Sequence, residues 1–313
     1  MYCQKGISIN ACLALLVALL ALPDRIQAGD SGTSDRVSDI ESNIPSTDIT
    51  LPTFAPFSEA DGDLGVQLIM QPALSYDAFS VSVDVGYLYT DNARVSQSDA
   101  VDDHVFTAGL SMSYIPILYK NLYGEVTVQD TTFNYDSNSD LDFNDFEAGA
   151  GLLYVFRQLG DTTLVARYNF ARFLDLFSGL DDIYTNHSIQ IGAYKSWYFT
   201  SRQHAYIAFL SDFSLQGTPQ QATRDEHSVI LAYRLLPLPK LKIEAYYRGG
   251  YLDFTGIDRS DFTHTSGLAA TWSFTRHLYA SVHTSYTWND SDALERDYEV
   301  FLSGVQVGFN YEF

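Results

Sequence analysis

Alternation constrains this chain more than any other feature. From Ser80 to the C-terminus, apolar residues and small polar ones change places at successive positions in twelve runs. In 80–90, Val81, Val83, Val85, Tyr87 and Tyr89 share one side, while Ser80, Ser82, Asp84 and Gly86 share the other. Residues 105–114 set Phe106, Ala108, Leu110, Met112 and Tyr114 against Thr107, Gly109, Ser111 and Ser113. Residues 262–274 align Phe262, His264, Leu268, Ala270, Trp272 and Phe274 opposite Thr263, Thr265, Gly267, Thr271 and Ser273. Period two is the spacing of a β-strand whose two sides face different media.

The length of the runs decides what those media are. They lie near 80–90, 104–115, 121–135, 145–157, 162–174, 185–198, 204–214, 226–236, 241–254, 262–274, 278–288 and 298–313. Strands in soluble sheets average about five or six residues, whereas runs of about 10 to 16 residues cross a hydrocarbon layer at a tilt. Short connections at 116–120, 158–161, 199–203, 237–240 and 275–277 interleave with longer ones at 91–103, 136–144, 175–184, 215–225, 255–261 and 289–297. This is the signature of an all-β, transmembrane antiparallel up-and-down β-barrel of about 12 strands, spanning 80–313. An even strand number puts both termini on one side, with short turns periplasmic and long loops extracellular. The inward sides, full of Gly, Ser, Thr and Asn, suit a narrow wet lumen.

Aromatic residues fall at the ends of the apolar sides. Tyr114, Tyr154, Phe156, Trp197, Tyr233, Trp272, Phe274 and Tyr311 lie near the short turns, and Tyr89, Phe146, Phe170, Phe213, Tyr251, Phe262 and Trp288 toward the long loops. Two belts of amphipathic rings are expected at the two membrane interfaces.

The N-terminal part reads differently. Lys5 followed by the apolar run Ala11–Leu22 and by Ile26-Gln27-Ala28 forms a removable secretory signal over residues 1–28. Both cysteines, Cys3 and Cys12, fall inside it, so the mature chain has no disulfide and no thiolate chemistry. Residues 29–79 form an acidic, largely disordered leader with nine acids and one base, Arg36. Its apolar piece, Val66–Met70, is open to three readings: an extra strand, a lumen plug or a docking segment. The formal charge of −21 excludes a nucleic-acid partner, which needs clustered Lys and Arg.

The last two runs carry a resemblance. Thr284-Ser285-Tyr286-Thr287-Trp288-Asn289-Asp290-Ser291, followed by Tyr298 to Phe313 with Val305, Val307, Phe309, Tyr311 and Phe313 on one side, resembles the closing hairpin of Gram-negative outer-membrane β-barrel proteins of the porin-like kind. The resemblance implies location in the outer membrane of a Gram-negative bacterium. It also implies outer-membrane lipid, periplasmic chaperones and the barrel-assembly machinery as partners, with Phe309, Tyr311 and Phe313 as the assembly signal.

Charges on the inward side are the candidates for function. Glu125, Arg167, Glu244, Arg248 and His283 sit at intermediate heights, where a charge facing lipid would be intolerable. They either line a constriction that sorts solutes by charge or brace the lumen by pairing. The six long connections, taken with their flanks as 91–103, 136–145, 175–183, 215–226, 255–261 and 289–297, hold nineteen Asp or Glu against four Arg, so the outer mouth would concentrate cations or simply stay solvated. Asp136, Asn138, Asp140, Asp142 and Glu147 have the oxygen spacing of a calcium loop. Leu141 replaces the turn Gly of that motif, so any Ca would be loosely bound, and no other cofactor is expected.

No motif of an enzyme appears, and no catalytic residue is assigned: His283, with Ser281 and Ser285 beside it, has no carboxylate partner nearby in sequence. The expected function is a porin-like channel for passive diffusion of small hydrophilic solutes, favouring cations or neutral molecules. The alternative is a non-conducting structural or surface-interaction barrel with acidic loops, and a hydrolase is the third reading.

Overall fold

The computed structural model describes residues 77–313, apart from Ser178, Leu180, Leu294 and Glu295. The signal and nearly all of the leader lie outside the described residues. Period-two sequence becomes strand throughout: β1 (Phe79–Thr90), β2 (Asp103–Tyr114), the short β3 (Ile117–Tyr119), β4 (Leu122–Tyr135), β5 (Phe143–Phe156), β6 (Thr162–Asp175) and β7 (Asp181–Thr200). They continue with β8 (Gln203–Thr218), β9 (Arg224–Leu238), β10 (Leu241–Phe254), β11 (Ser260–Ser273), β12 (Leu278–Ser291) and β13 (Tyr298–Glu312).

Each long strand pairs antiparallel with the next, β2 pairs β4, and β1 pairs β13, so twelve strands close into a barrel while β3 only decorates one turn. Closure leaves no long unpaired edge, which is what a wall in hydrocarbon requires. The seam between β1 and β13 runs in register from Ser80↔Glu312 to Thr90↔Leu302. At its foot Phe79 and Phe313 exchange backbone hydrogen bonds of 3.0 and 2.9 Å, with their rings 4.7 Å apart. We call the end where they meet the terminal rim and the opposite end the distal rim.

All twelve sequence runs coincide with long strands, but the connections differ from expectation. β7 begins at Asp181, β8 continues to Thr218 and β12 to Ser291, so the strands take over part of the expected loops. Among the fully described distal connections 91–102 remains long, while 136–142, 219–223 and 255–259 are short. Polar residues in those stretches kept the alternation weak although the backbone ladder continues.

The outward side is an apolar belt. Val83, Val85, Ile191, Val282, Val305 and Val307 are each between 46 and 59% exposed. In water such a surface would drive aggregation; against lipid tails it is the stable arrangement. The belt also explains why this fold has no conventional core: what is buried lies inside the lumen.

Candidate functional site: the barrel lumen

Register fixes what points inward. Glu125, Arg167, Glu244, Arg248 and His283 all project into the lumen, as the alternation predicts. The ion pairs among them differ from the expectation that they meet across the lumen. Glu125 on β4 and Arg167 on β6 both align with Gly151 on the strand between them, and their charged groups approach to 3.2 Å. A side chain at Gly151 would meet Arg167 Cβ at 2.5 Å, so the glycine makes room for this bridge over its strand. Glu244 accepts hydrogen bonds of 2.9 and 2.7 Å from Arg234, its register partner on β9. Arg248 donates to Glu226, also on β9. These are braces along the wall. Sequence reading missed Arg234 and Glu226 as lumen groups because both sit beside connections; counting the period through the turn would have placed them inward.

The lumen is sealed at one end. Leu88, Val105, Phe133, Phe143 and Leu302, contributed by five neighbouring strands, form a buried cluster near the distal rim. Phe133 and Phe143 stack at 4.5 Å, and Phe173 meets Phe143 edge-on at 6.0 Å. Leu252, Phe254 and Ala222 form a second buried group, which Tyr184 flanks. The long connection turns inward as well, burying Val95 against Tyr298 and Val300 and Ala93 against Leu141.

A buried ion pair completes the seal. Arg259 donates to Asp261 at 2.8 Å and lies 4.3 Å from the centre of the Phe254 ring, while Asn289 and Ser291 donate to the same carboxylate. Both charged side chains are almost wholly buried, at 3% and 1% exposed. Burial of such a pair is tolerable because every carboxylate oxygen here has a donor.

Below the seal the lumen is hollow. A cavity of about 580 Å³ runs from the level of Leu88 and Phe133 to residues 275–278 in a turn of the terminal rim. None of its lining residues belongs to a distal connection. Its wall has two chemistries. On β1, β2, β11, β12 and β13 it presents Ser82, Ser111, Thr271, Ser281, His283 and Gln306. On β7 to β10 it presents Tyr194, Tyr206, Leu210, Ile230 and Tyr246, which pack with the inward Leu153, Val155 and Val165 of β5 and β6 into one buried cluster toward the terminal rim, with Gln190, Lys242 and Glu244 among them.

The distal acids have structural work. Asp103 accepts the backbone N–H groups of Ser137 and Asn138, Asp142 that of Tyr135, and Asp91 that of Phe301. Asp225 accepts from Ser214, Asp297 from Ser291, and Asp292 from both the N–H and the hydroxyl of Ser260. Strand ends leave backbone donors without ladder partners, and a carboxylate satisfies them. Burial pushes the Asp142 carboxyl up, against its bond from Tyr135 and with help from the charges of Asp103, Asp140 and Asp175.

The five oxygens of the expected calcium loop are not brought together. Asp136 accepts from the Tyr87 hydroxyl, Asn138 donates to Asp103, Asp140 pairs with Arg94, Asp142 holds Tyr135, and Glu147 faces the lumen down β5. Among the described residues no group of three or more His, Cys, Asp or Glu is disposed to hold a metal.

The outward Phe309 and Tyr311 lie on β13, and Phe313 follows it at the seam.

No protein family and no curated protein matches the chain. Solved structures do. An outer membrane channel from Pseudomonas putida aligns over 79% of this chain and 100% of its own at 12% identity, with a TM-score of 0.53. The fold is that of outer-membrane β-barrels. The NanC porin covers 72% of this chain and 98% of its own at 14% identity and a TM-score of 0.43. The KdgM porin covers 72% and 97% at 13% identity and a TM-score of 0.38.

Proposed function

We propose that this barrel resides in a bacterial outer membrane and works as a gated channel for small solutes. The observation that carries this reading is the cavity of about 580 Å³ inside a lipid-facing wall, continuous to the terminal rim. A barrel of twelve strands lies between filled eight-stranded barrels and open porins of about 16 strands, so a narrow passage is what its size permits. Cations or neutral molecules are the favoured solutes, because Asp and Glu outnumber Arg in the connections of the distal mouth. Their engagement with strand-end N–H groups does not remove that field. Glu125, Arg167, Glu244 and Arg248 act in this reading as braces that keep the wall round. Passage requires the distal seal to move.

A second reading rests on that seal. Apolar side chains and a buried ion pair that close one end also fit a non-conducting barrel, whose distal loops are the working part. Planar-bilayer recording of the full chain separates the two. Discrete openings, more permeable to cations than to anions, support the channel. Absence of current over a wide range of voltage and salt supports the closed barrel.

A further inference from the structure

The two chemistries of the cavity wall face each other. Counted around the closed wall, β7 stands opposite β13 and β8 opposite β1, six strand steps apart in either direction. Tyr206 on β8 therefore looks across the lumen at Ser82 on β1, Ile230 on β9 at Ser111 on β2, and Tyr194 on β7 at Gln306 on β13, while Tyr246 on β10 closes the edge of the apolar arc, two strands from Ser281. A passage shaped only for hydrated ions gains nothing from an apolar inner wall, because water beside it has no partner there. A solute with one apolar face and one polar edge satisfies both walls at once.

Two polar atoms on this cavity lack partners. His283 Nε2 and Arg167 Nε have no hydrogen-bond partner among the described residues, although both are buried and both residues line the cavity. Buried polar atoms of this kind are ordinarily satisfied, so each calls for a water molecule or a ligand atom. His283 lies on the polar side, on β12, and Arg167 on β6.

We infer that the cavity binds an uncharged amphipathic ring compound, an aromatic or alicyclic ring bearing hydroxyl or other oxygen groups along one edge. The ring lies against Tyr206, with Tyr246 at its edge; the oxygens face Ser82 and Gln306 across the lumen and His283 beside them. The volume, about 580 Å³, falls within the range of sites that hold small organic ligands. Charges of both signs line the cavity and nearly balance, so neither an anion nor a cation is strongly preferred: Arg167 is matched by Glu125 and Arg234 by Glu244, and Asp84, Glu147 and Glu312 stand against Lys242 and Arg276. The inference names the solute of the channel proposed above, yet binding does not depend on conduction.

A matched pair of probes tests it. Phenyl β-glucoside and methyl β-glucoside carry the same polar edge and differ only in the ring. Titration calorimetry on the full chain in lipid nanodiscs, corrected with empty nanodiscs, should show the phenyl compound binding about tenfold more tightly. Tyr246→Ser should bring the phenyl compound down to the affinity of the methyl one and leave the latter unchanged. His283→Ala should weaken both alike. Heat-modifiable migration on gels verifies that each variant still closes, and Tyr206→Ser is the second choice if Tyr246→Ser does not. Equal affinity for the two glucosides overturns the inference, as does no binding of either, or a tyrosine variant that weakens both equally. A barrel that conducts without distinguishing the probes fails this inference alone. One that distinguishes them yet never conducts fails the channel reading alone.

Discussion

The distal seal and the hollow below it are built on the same strands, and they use the inward side in opposite ways. On β1, Leu88 joins the buried apolar cluster, while two turns of the pleat lower Asp84 and Ser82 line the open cavity. On β4, Phe133 closes the lumen and Gln129 and Thr127 border its space. The outward side shows no such change along the strand, because lipid asks the same thing of every level of the belt. Inside, nothing uniform is imposed, and each level is filled or left empty by the side chains and connections that reach it. On β1 and β4 the change from apolar to polar side chains, four residues apart on one strand, thus marks the boundary between the filled end and the cavity.

The largest test of that division is to remove the stacked pair. Replacing Phe133 and Phe143 with Ala should cost about 3–5 kcal/mol for each buried ring, and the cavity should then reach the distal rim. Denaturant titration in detergent reads the first effect, and single-channel current the second. Lost stability without added current would show that Leu88 and Leu302 suffice to hold the seal.

Breaking the buried ion pair comes next. Arg259→Met leaves the buried Asp261 carboxylate with no counter-charge and only the neutral donors Asn289 and Ser291, a change expected to destabilise by about 3 kcal/mol. The double variant Arg259→Met with Asp261→Leu should recover most of that loss in the same titration. Failure to recover would mean that the geometry of the connection, rather than the charge, is what matters.

Within the hollow, Arg167→Ala leaves Glu125 without its partner and should cost about 1 to 3 kcal/mol. Arg248→Ala should act similarly through Glu226. Reversal potentials should stay near the parent value if these residues brace the wall. A shift toward cations, with stability unchanged, would instead make them part of a selective constriction.

The smallest effect concerns the distal surface. Hydrogen bonds from the Ser260 N–H and hydroxyl hold the Asp292 carboxyl below the usual aspartate range. A group depressed in the folded state stabilises above its unfolded pKa, and that contribution is lost as the pH falls through the folded value. Unfolding midpoints of the parent should therefore drop on acidification more than those of Asp292→Asn. Identical pH profiles for the two proteins would remove Asp292 from the fastening of the 292–297 connection.

Much of this molecule is legible in its sequence. The twelve strands, their inward and outward sides, and the inward placement of Glu125, Arg167, Glu244, Arg248 and His283 all follow from period two, since a strand has only two sides and lipid fixes which is which. The connections were read as longer than they are because hydrogen-bond ladders continue through Asp181–Ile183 and Leu215–Thr218, where the alternation fades. The calcium spacing at 136–147 misled because linear spacing implies convergence only when the loop has the backbone turn that brings the oxygens together. Here a 3₁₀ turn at Ser139–Leu141 leads into β5 and carries Glu147 away into the lumen.

The sequence by itself determined the architecture, because alternation and length are local properties that each strand displays alone. Which charges pair was decided only by tertiary structure. Arg167 meets Glu125 rather than Glu244 because the register sets both against Gly151, and register belongs to pairs of strands. The two-faced cavity and its distal seal are later still in that order. They depend on which strands stand opposite one another once twelve of them close, a relation that no segment of the chain contains and that only the finished ring creates.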